Sequence, residues 1–258
     1  MPEAHLSEAA GHPVQLDDAG GVKRVLVVTA HPDDVDFGAA GTIATWVKAG
    51  VEVAYCISTD GDAGGIDRSM ARTDMARLRR DEQTAAANAV GVEDVTFLGY
   101  PDGRLSASVE LRRDVSRVVR RFRPERLVCQ SPERNWDRIG ASHPDHLAAG
   151  EAAVCAAYPD ARNPFAHPEL LAEGLEPWSV KELWMMAAPR PNRAVDITDA
   201  FPVKLKALSC HHSQVDHEHD IEGRLREWAG AGARAAGLGE GRLAELFQLV
   251  AMPWSGSA

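Results

Sequence analysis

Close cysteine pairs are missing from this chain. Cys56, Cys129, Cys155 and Cys210 lie far apart, without the short spacing of a structural zinc motif or a redox dithiol, and three of them fall inside apolar strand or helix patterns. Reduced, mostly buried thiols in a cytoplasmic protein are the expectation. Long apolar runs are also missing: no stretch of about 18 apolar residues occurs, and the first twenty residues lack the basic-then-apolar order of an export signal. Neither export nor membrane insertion is expected. Basic charge is in deficit as well, with 28 Lys and Arg against 38 Asp and Glu and a formal net charge of −10. Nucleic-acid backbones and anionic membrane surfaces call for a basic face, so neither is expected as the main partner.

What is present is an alternation of short apolar runs and helical patterns over 258 residues. The length allows one large α/β domain or two small ones, and a single domain is favoured, with residues 1–22 a loosely held lead-in and 215–258 a C-terminal extension. Val25-Leu26-Val27-Val28 reads as a buried parallel strand, Gly38 to Gly50 as a helix, and Val51 to Ile57 as a second strand. Such a βαβ unit builds a parallel sheet. A helix from Arg68 to Val90, a strand from Val95 to Leu98, a helix from Val109 to Phe122 with a solvated arginine face, and a strand from Arg126 to Gln130 continue the pattern. Leu147 to Ala157 reads as a helix. Tyr158 to Trp178 reads as an irregular Pro-rich connection, of the kind that serves as a lid or as a contact in a homo-oligomer. Further strands are expected at 181–186 and 194–197, and helices at 201–210 and 221–236.

Two stretches carry chemistry. His31-Pro32-Asp33-Asp34 follows the first strand and His143-Pro144-Asp145-His146 follows the fourth. Both therefore stand at the carboxyl ends of strands, the edge where open α/β sheets bind ligands. Either tetrad alone is also ordinary turn chemistry; together they read as two halves of one metal site. A hydrolytic zinc site needs about three protein ligands and one open position for water. His31, Asp34 and His146 supply two nitrogens and an oxygen, a set that would also accept iron, cobalt or manganese. Asp33 is placed to take a proton from water. His143 could protonate a leaving group or bind an oxyanion, and Asp145 could orient an imidazole and raise the pKa of His143. Trp136, with Arg134 and Arg138 in the loop 131–142, reads as a substrate wall or as plain loop chemistry. His211 and His212 are either weaker site candidates or helix-end charges.

At these residues the chain resembles the LmbE-like, or PIG-L-like, metal-dependent de-N-acetylases. The resemblance runs from Arg24 to about Gln214 and rests on the two tetrads, with support from Thr59-Asp60-Gly61, Arg79-x-x-Glu82, residues 97–103 and His211-x-Ser213-Gln214. Asp36 stands where many relatives have glutamate. The family implies a Rossmann-like α/β fold, a mostly parallel sheet with helices on both faces, and one catalytic zinc per chain. It implies ligands His31, Asp34 and His146, base Asp33, and His143 as acid or oxyanion partner. Apart from the resemblance, Arg79, Trp136 and His211 are candidate substrate contacts. The expected activity is deacetylation of an N-acetylated amino sugar or a related small N-acyl amine. Amide cleavage in a thiol conjugate, or a metal-binding homologue without turnover, are the alternatives.

Overall fold

The β-branched run before the first tetrad forms a strand buried on both faces. In the computed structural model, which describes residues 14–17, 21–65, 67 and 69–252, one sheet contains β1 (Gln15–Leu16), β2 (Arg24–Thr29), β3 (Glu52–Thr59), β4 (Asp94–Tyr100), β5 (Arg126–Gln130), β6 (Glu182–Met186), β7 (Arg193–Asp196) and β8 (Ala244–Ala251). Their order is β1-β7-β8-β6-β5-β2-β3-β4. Only β8 runs antiparallel to its neighbours, β6 and β7. The helices are α1 (Asp34–Gly38), α2 (Ala40–Lys48), α3 (Arg72–Ala89), α4 (Val109–Phe122), α5 (Pro144–Cys155), α6 (Pro168–Ala172), α7 (Phe201–Leu208), α8 (His212–Val215) and α9 (Ile221–Ala235). The mostly parallel, helix-flanked sheet is the expected fold class. None of the described helices is long and apolar enough to cross a membrane.

Side chains along β2 alternate between two cores, Val25 and Val27 on one face, Leu26 and Val28 on the other, as the two-residue period of a strand requires. Ile43 and Trp46 of α2 and Ala86 and Ala87 of α3 cover the first face; Leu111 and Val115 of α4 and Ala149 and Ala152 of α5 cover the second. The chain thus changes face between β4 and β5. Because β2 and β5 are paired neighbours, the connections leaving them diverge to opposite faces and open a crevice at their carboxyl ends. That crevice is the topological switch point of the sheet.

Several expectations are corrected. The supposed extension contributes β8, which inserts between β6 and β7 and buries Phe247 completely. Its burial lacks strict alternation, so no strand period showed in the sequence. Trp254 lies outside the described residues. Part of the lead-in is tied down, since Gln15 and Leu16 pair with Arg193 and Ala194 of β7. The arginine face of α4 is not simply solvated either. Arg112 pairs with Asp160 and Arg117 with Glu173, while Arg120, 1% exposed, donates to the carbonyls of Asp160, Ala161, Asn163 and Ala166. The long connection, which includes the short helix α6, is therefore held against α4.

A buried ion pair ties β8 to the segment that follows the first tetrad. Lys204 Nζ donates to Glu245 Oε1 at 2.6 Å and to the carbonyls of Asp36 and Phe37 at 2.9 and 2.7 Å. Glu245 in turn accepts from the Gly41 and Thr42 amides. Both side chains are under a tenth exposed, so removal of one partner strands the other without water. Lys204→Met is expected to lose about 3–5 kcal/mol of unfolding free energy in denaturant titration. A loss under about 1 kcal/mol would show that the helix amides alone satisfy Glu245.

Candidate metal and catalytic site

The first tetrad is anchored from both neighbouring strands. The Ala30 amide donates to Gln130 Oε1 at 3.0 Å, and the Ala30 carbonyl accepts from the Thr59 amide at 2.8 Å. The chain then reverses through Asp33, whose φ of 92° is in the left-handed region. For a residue other than glycine this costs on the order of 1–3 kcal/mol, least for Asp and Asn. Asp33 is the N-cap of α1, and Asp34 starts the helix. The backbone amide of His31 donates to Asp34 Oδ2 at 2.7 Å.

The second tetrad also begins a helix rather than sitting in the preceding loop. His143 caps α5, Pro144 takes the first helical position, and Asp145 and His146 fall in the first turn. Proline starts a helix readily there because its missing N–H had no partner to lose, which explains why α5 begins three residues earlier than expected. A Cβ on Gly150 would collide with the Gln130 carbonyl. Glycine therefore lets α5 lie directly on β5, with His146 over the strand end.

The two tetrads converge. His31 Nδ1 lies 3.4 Å from Asp34 Oδ2, and His146 Nε2 lies 3.0 Å from Asp34 Oδ1. His31 Nε2 faces Asp102 Oδ1 at 3.1 Å and Asp145 Oδ2 at 3.3 Å, which leaves Nδ1 on the Asp34 side. Donors about 2.0–2.1 Å from a tetrahedral ion stand roughly 3.3 Å apart, and the two separations from Asp34 are of that order. Ring nitrogens of His31, His143 and His146 lie within 4.8 Å of one another, as do ligand atoms of His31, Asp102 and Asp145. His143 joins the group, with ring centroids 5.2 Å from His31 and 5.4 Å from His146. The electrostatics agree. Burial opposes a charged His31 ring, yet Asp34, Asp102 and Asp145 together push its pKa up to about 12. Against burial, His146 and His31 hold the Asp34 carboxyl well below its usual range. Carboxylates so arranged favour positive charge at this point.

Asp33 is held beside this group by Arg79, which donates to Asp33 Oδ2 at 2.9 Å and to the Pro32 and Gly61 carbonyls. A Cβ on Gly61 would strike that guanidinium, and Gly61 itself has a φ of +64°, so the Thr-Asp-Gly loop needs its glycine on both counts. Burial pushes the Asp33 carboxyl up to about 6, with Arg79 acting against it. Burial, reinforced by His31 and His146, lowers the pKa of His143. The expected rise under the influence of Asp145 is corrected, because Asp145 faces His31 and accepts from the Gly103 and Leu105 amides.

Of the candidate substrate contacts, Arg79 is brought to the site, 4% exposed, and Trp136 stands 78% exposed on the rim with Arg134 5.5 Å from its ring. His211 is placed differently. It has no exposed surface, and its Nε2 lies 2.8 Å from Asp36 Oδ2, so in place of a substrate contact it serves Asp36. Asp102 was missed: its turn follows β4, and that strand's place on the same rim was the available signal.

A family model described as GlcNAc-PI de-N-acetylase (PIG-L) matches residues 26–157, a span containing both tetrads. The chain belongs to this family of hydrolytic enzymes acting on N-acetyl amides. Over 197 residues it is 34% identical to a diacetylchitobiose deacetylase of Thermococcus kodakarensis, covering 75% of this chain and 70% of that protein. It is 29% identical to a 1D-myo-inositol 2-acetamido-2-deoxy-alpha-D-glucopyranoside deacetylase of Rhodococcus erythropolis, covering 75% and 81%. The solved N,N'-diacetylchitobiose deacetylase of Pyrococcus horikoshii superposes with a TM-score of 0.83 at 31% identity, over 92% of this chain and 90% of that one.

The geometry predicts the metal content of variants. His31→Ala and His146→Ala should each lose the bound divalent ion, measured by plasma mass spectrometry, while circular dichroism stays that of the parent. Asp145→Ala, which removes a carboxylate from behind His31, should weaken metal affinity on the order of 10- to 100-fold. Parent-like metal content in the two histidine variants would disprove this ligand set.

Proposed function

We propose that this chain deacetylates an N-acetylated amino sugar, or a related small N-acyl amine, with one zinc ion held by His31, Asp34 and His146. The observation that carries the reading is the Asp33 carboxylate, fastened by Arg79 beside that three-ligand group. The names of the curated relatives support an acetamido sugar as substrate. Two nitrogens and a carboxylate without thiolate suit a Lewis acid for water chemistry. Zinc, when bound, supplies polarisation of the scissile carbonyl and acidifies water in the open position.

The remaining chemistry belongs to side chains. Asp33 takes the proton of the attacking water as its oxygen bonds to the amide carbon, and then returns a proton to the leaving nitrogen as the C–N bond breaks. Its pKa near 6 suits both directions, because the proton is neither refused nor retained at neutral pH. His143 has the other task. Its Nδ1 accepts from the Asp145 amide at 3.2 Å, so a neutral ring carries its proton on Nε2. The lowered pKa keeps the ring neutral. A neutral Nε2–H donates a hydrogen bond to the carbonyl oxygen as negative charge develops there. Between the two roles expected for His143, the geometry favours the oxyanion donor over the cationic acid.

Acetate release from N-acetylated amino sugars is the direct test of the reaction. Asp33→Asn should keep the metal and lose about 10²- to 10⁴-fold in turnover, since an amide of nearly the same shape cannot accept the proton. The base works only when ionised, so kcat/KM of the parent should be level above about pH 7 and fall as pH drops through about 6. His143→Ala should lose about 10²- to 10³-fold in kcat with metal content unchanged. Activity of Asp33→Asn near that of the parent would remove Asp33 from the mechanism.

A further inference from the structure

Behind Asp33 lies a line of buried polar side chains that the chemistry above does not use. Asp36, Gln83 and His211 have no exposed surface. Gln83 Oε1 accepts from the Asp33 backbone amide at 2.8 Å, and Gln83 Nε2 donates to Asp36 Oδ2 at 2.9 Å. The same carboxylate oxygen faces His211 Nε2 at 2.8 Å. A glutamine amide can present either end to a neighbour, but an ionised carboxylate only accepts. Asp36 therefore compels Gln83 to turn its nitrogen inward, which leaves the amide oxygen toward Asp33.

The backbone at Asp33 needs that oxygen. Its carbonyl accepts from the Asp36 and Phe37 amides, and its carboxylate accepts from Arg79. Its own N–H, in a residue with a φ of 92°, has Gln83 as its acceptor. Were the amide reversed, two donors would face each other, and the left-handed turn that aims the carboxylate would lose its tie. Asp36 lies three residues beyond Asp33 on the helix that Asp33 caps. Base, helix turn and orienting carboxylate thus close into one hydrogen-bonded ring.

We propose that Asp36 and Gln83 are positioning residues for the base: the Asp36 carboxylate sets the polarity of the Gln83 amide, which holds the Asp33 peptide N–H in its left-handed geometry. This rests on the reading of Asp33 as the base. Two near-isosteric variants test it. Asp36→Asn removes the acceptor-only group and frees the amide to turn; Gln83→Met fills the space without either bond. In both, kcat should fall on the order of 10- to 100-fold, with KM and metal content close to the parent. Backbone exchange of the Asp33 amide, followed on aspartate-labelled protein, should be slow in the parent and faster in the variants. Values of kcat within about twofold of the parent in both variants would overturn the proposal. So would an unprotected Asp33 amide in the parent, a measurement that decides the matter even if neither variant folds. Asp33→Asn separates the two readings: an inactive Asp33→Asn beside parent-like Asp36 and Gln83 variants rejects the positioning alone, whereas an active one rejects the base.

Discussion

The pairing of β2 with β5 is the constraint on which the rest of this structure depends. Residues 25–28 register with 126–129, and this ladder brings together two strand ends about a hundred residues apart in the chain. Neither tetrad alone offers the three ligands proposed for the metal, and the 3.0 Å approach of His146 to Asp34 exists only because α1 and α5 start from adjacent strands. The ladder is itself secured by packing. Val25 to Val28 and Leu127 to Cys129 have no exposed surface, so any shift in register would displace two cores together.

Local cost collects at the same place. Asp33 adopts a backbone conformation that side chains other than glycine rarely take, its carboxyl is half-buried, and a guanidinium that is itself buried stands beside it. Such arrangements persist where the surroundings over-determine them. Here the surroundings are the Gln83 and Arg79 hydrogen bonds, the α1 amides, and the Lys204–Glu245 pair that grips the Asp36 and Phe37 carbonyls from behind. The strand that carries Glu245 is the one inserted antiparallel between β6 and β7. The last described strand of the chain is thereby coupled to the geometry of a tetrad near its start.

Much of the site was legible because its chemistry is local. His-Pro-Asp-Asp and His-Pro-Asp-His each place donors within four positions at a strand end, and proline marks the turn or helix start at each. Asp102 was not legible, since its turn signal is shared with many ordinary loops and its value lies in facing His31 Nε2. The same holds for His211, whose partner Asp36 is 175 residues away. The direction of the His143 shift could not be read either. Its neighbour in sequence, Asp145, turns to His31, while burial and two other imidazoles dominate its surroundings.

The amino-acid order alone dictated the central strands, through runs of β-branched residues with no polar interruption, and pointed to the residue types of the candidate metal site, through two short motifs. The helix starts after the tetrads were not legible in it: α1 begins at Asp34 and α5 at Pro144, ahead of the helical spacing that opens at Gly38 and Leu147. Tertiary structure alone decided that β8 enters the sheet, that arginines of α4 bind the carbonyls of the long connection, and which nitrogen of His31 faces the ligand group. Those outcomes depend on partners distant in the chain. A hydrogen bond or a desolvated charge takes its energy from what is brought beside it in space, and sequence spacing carries no record of that neighbour.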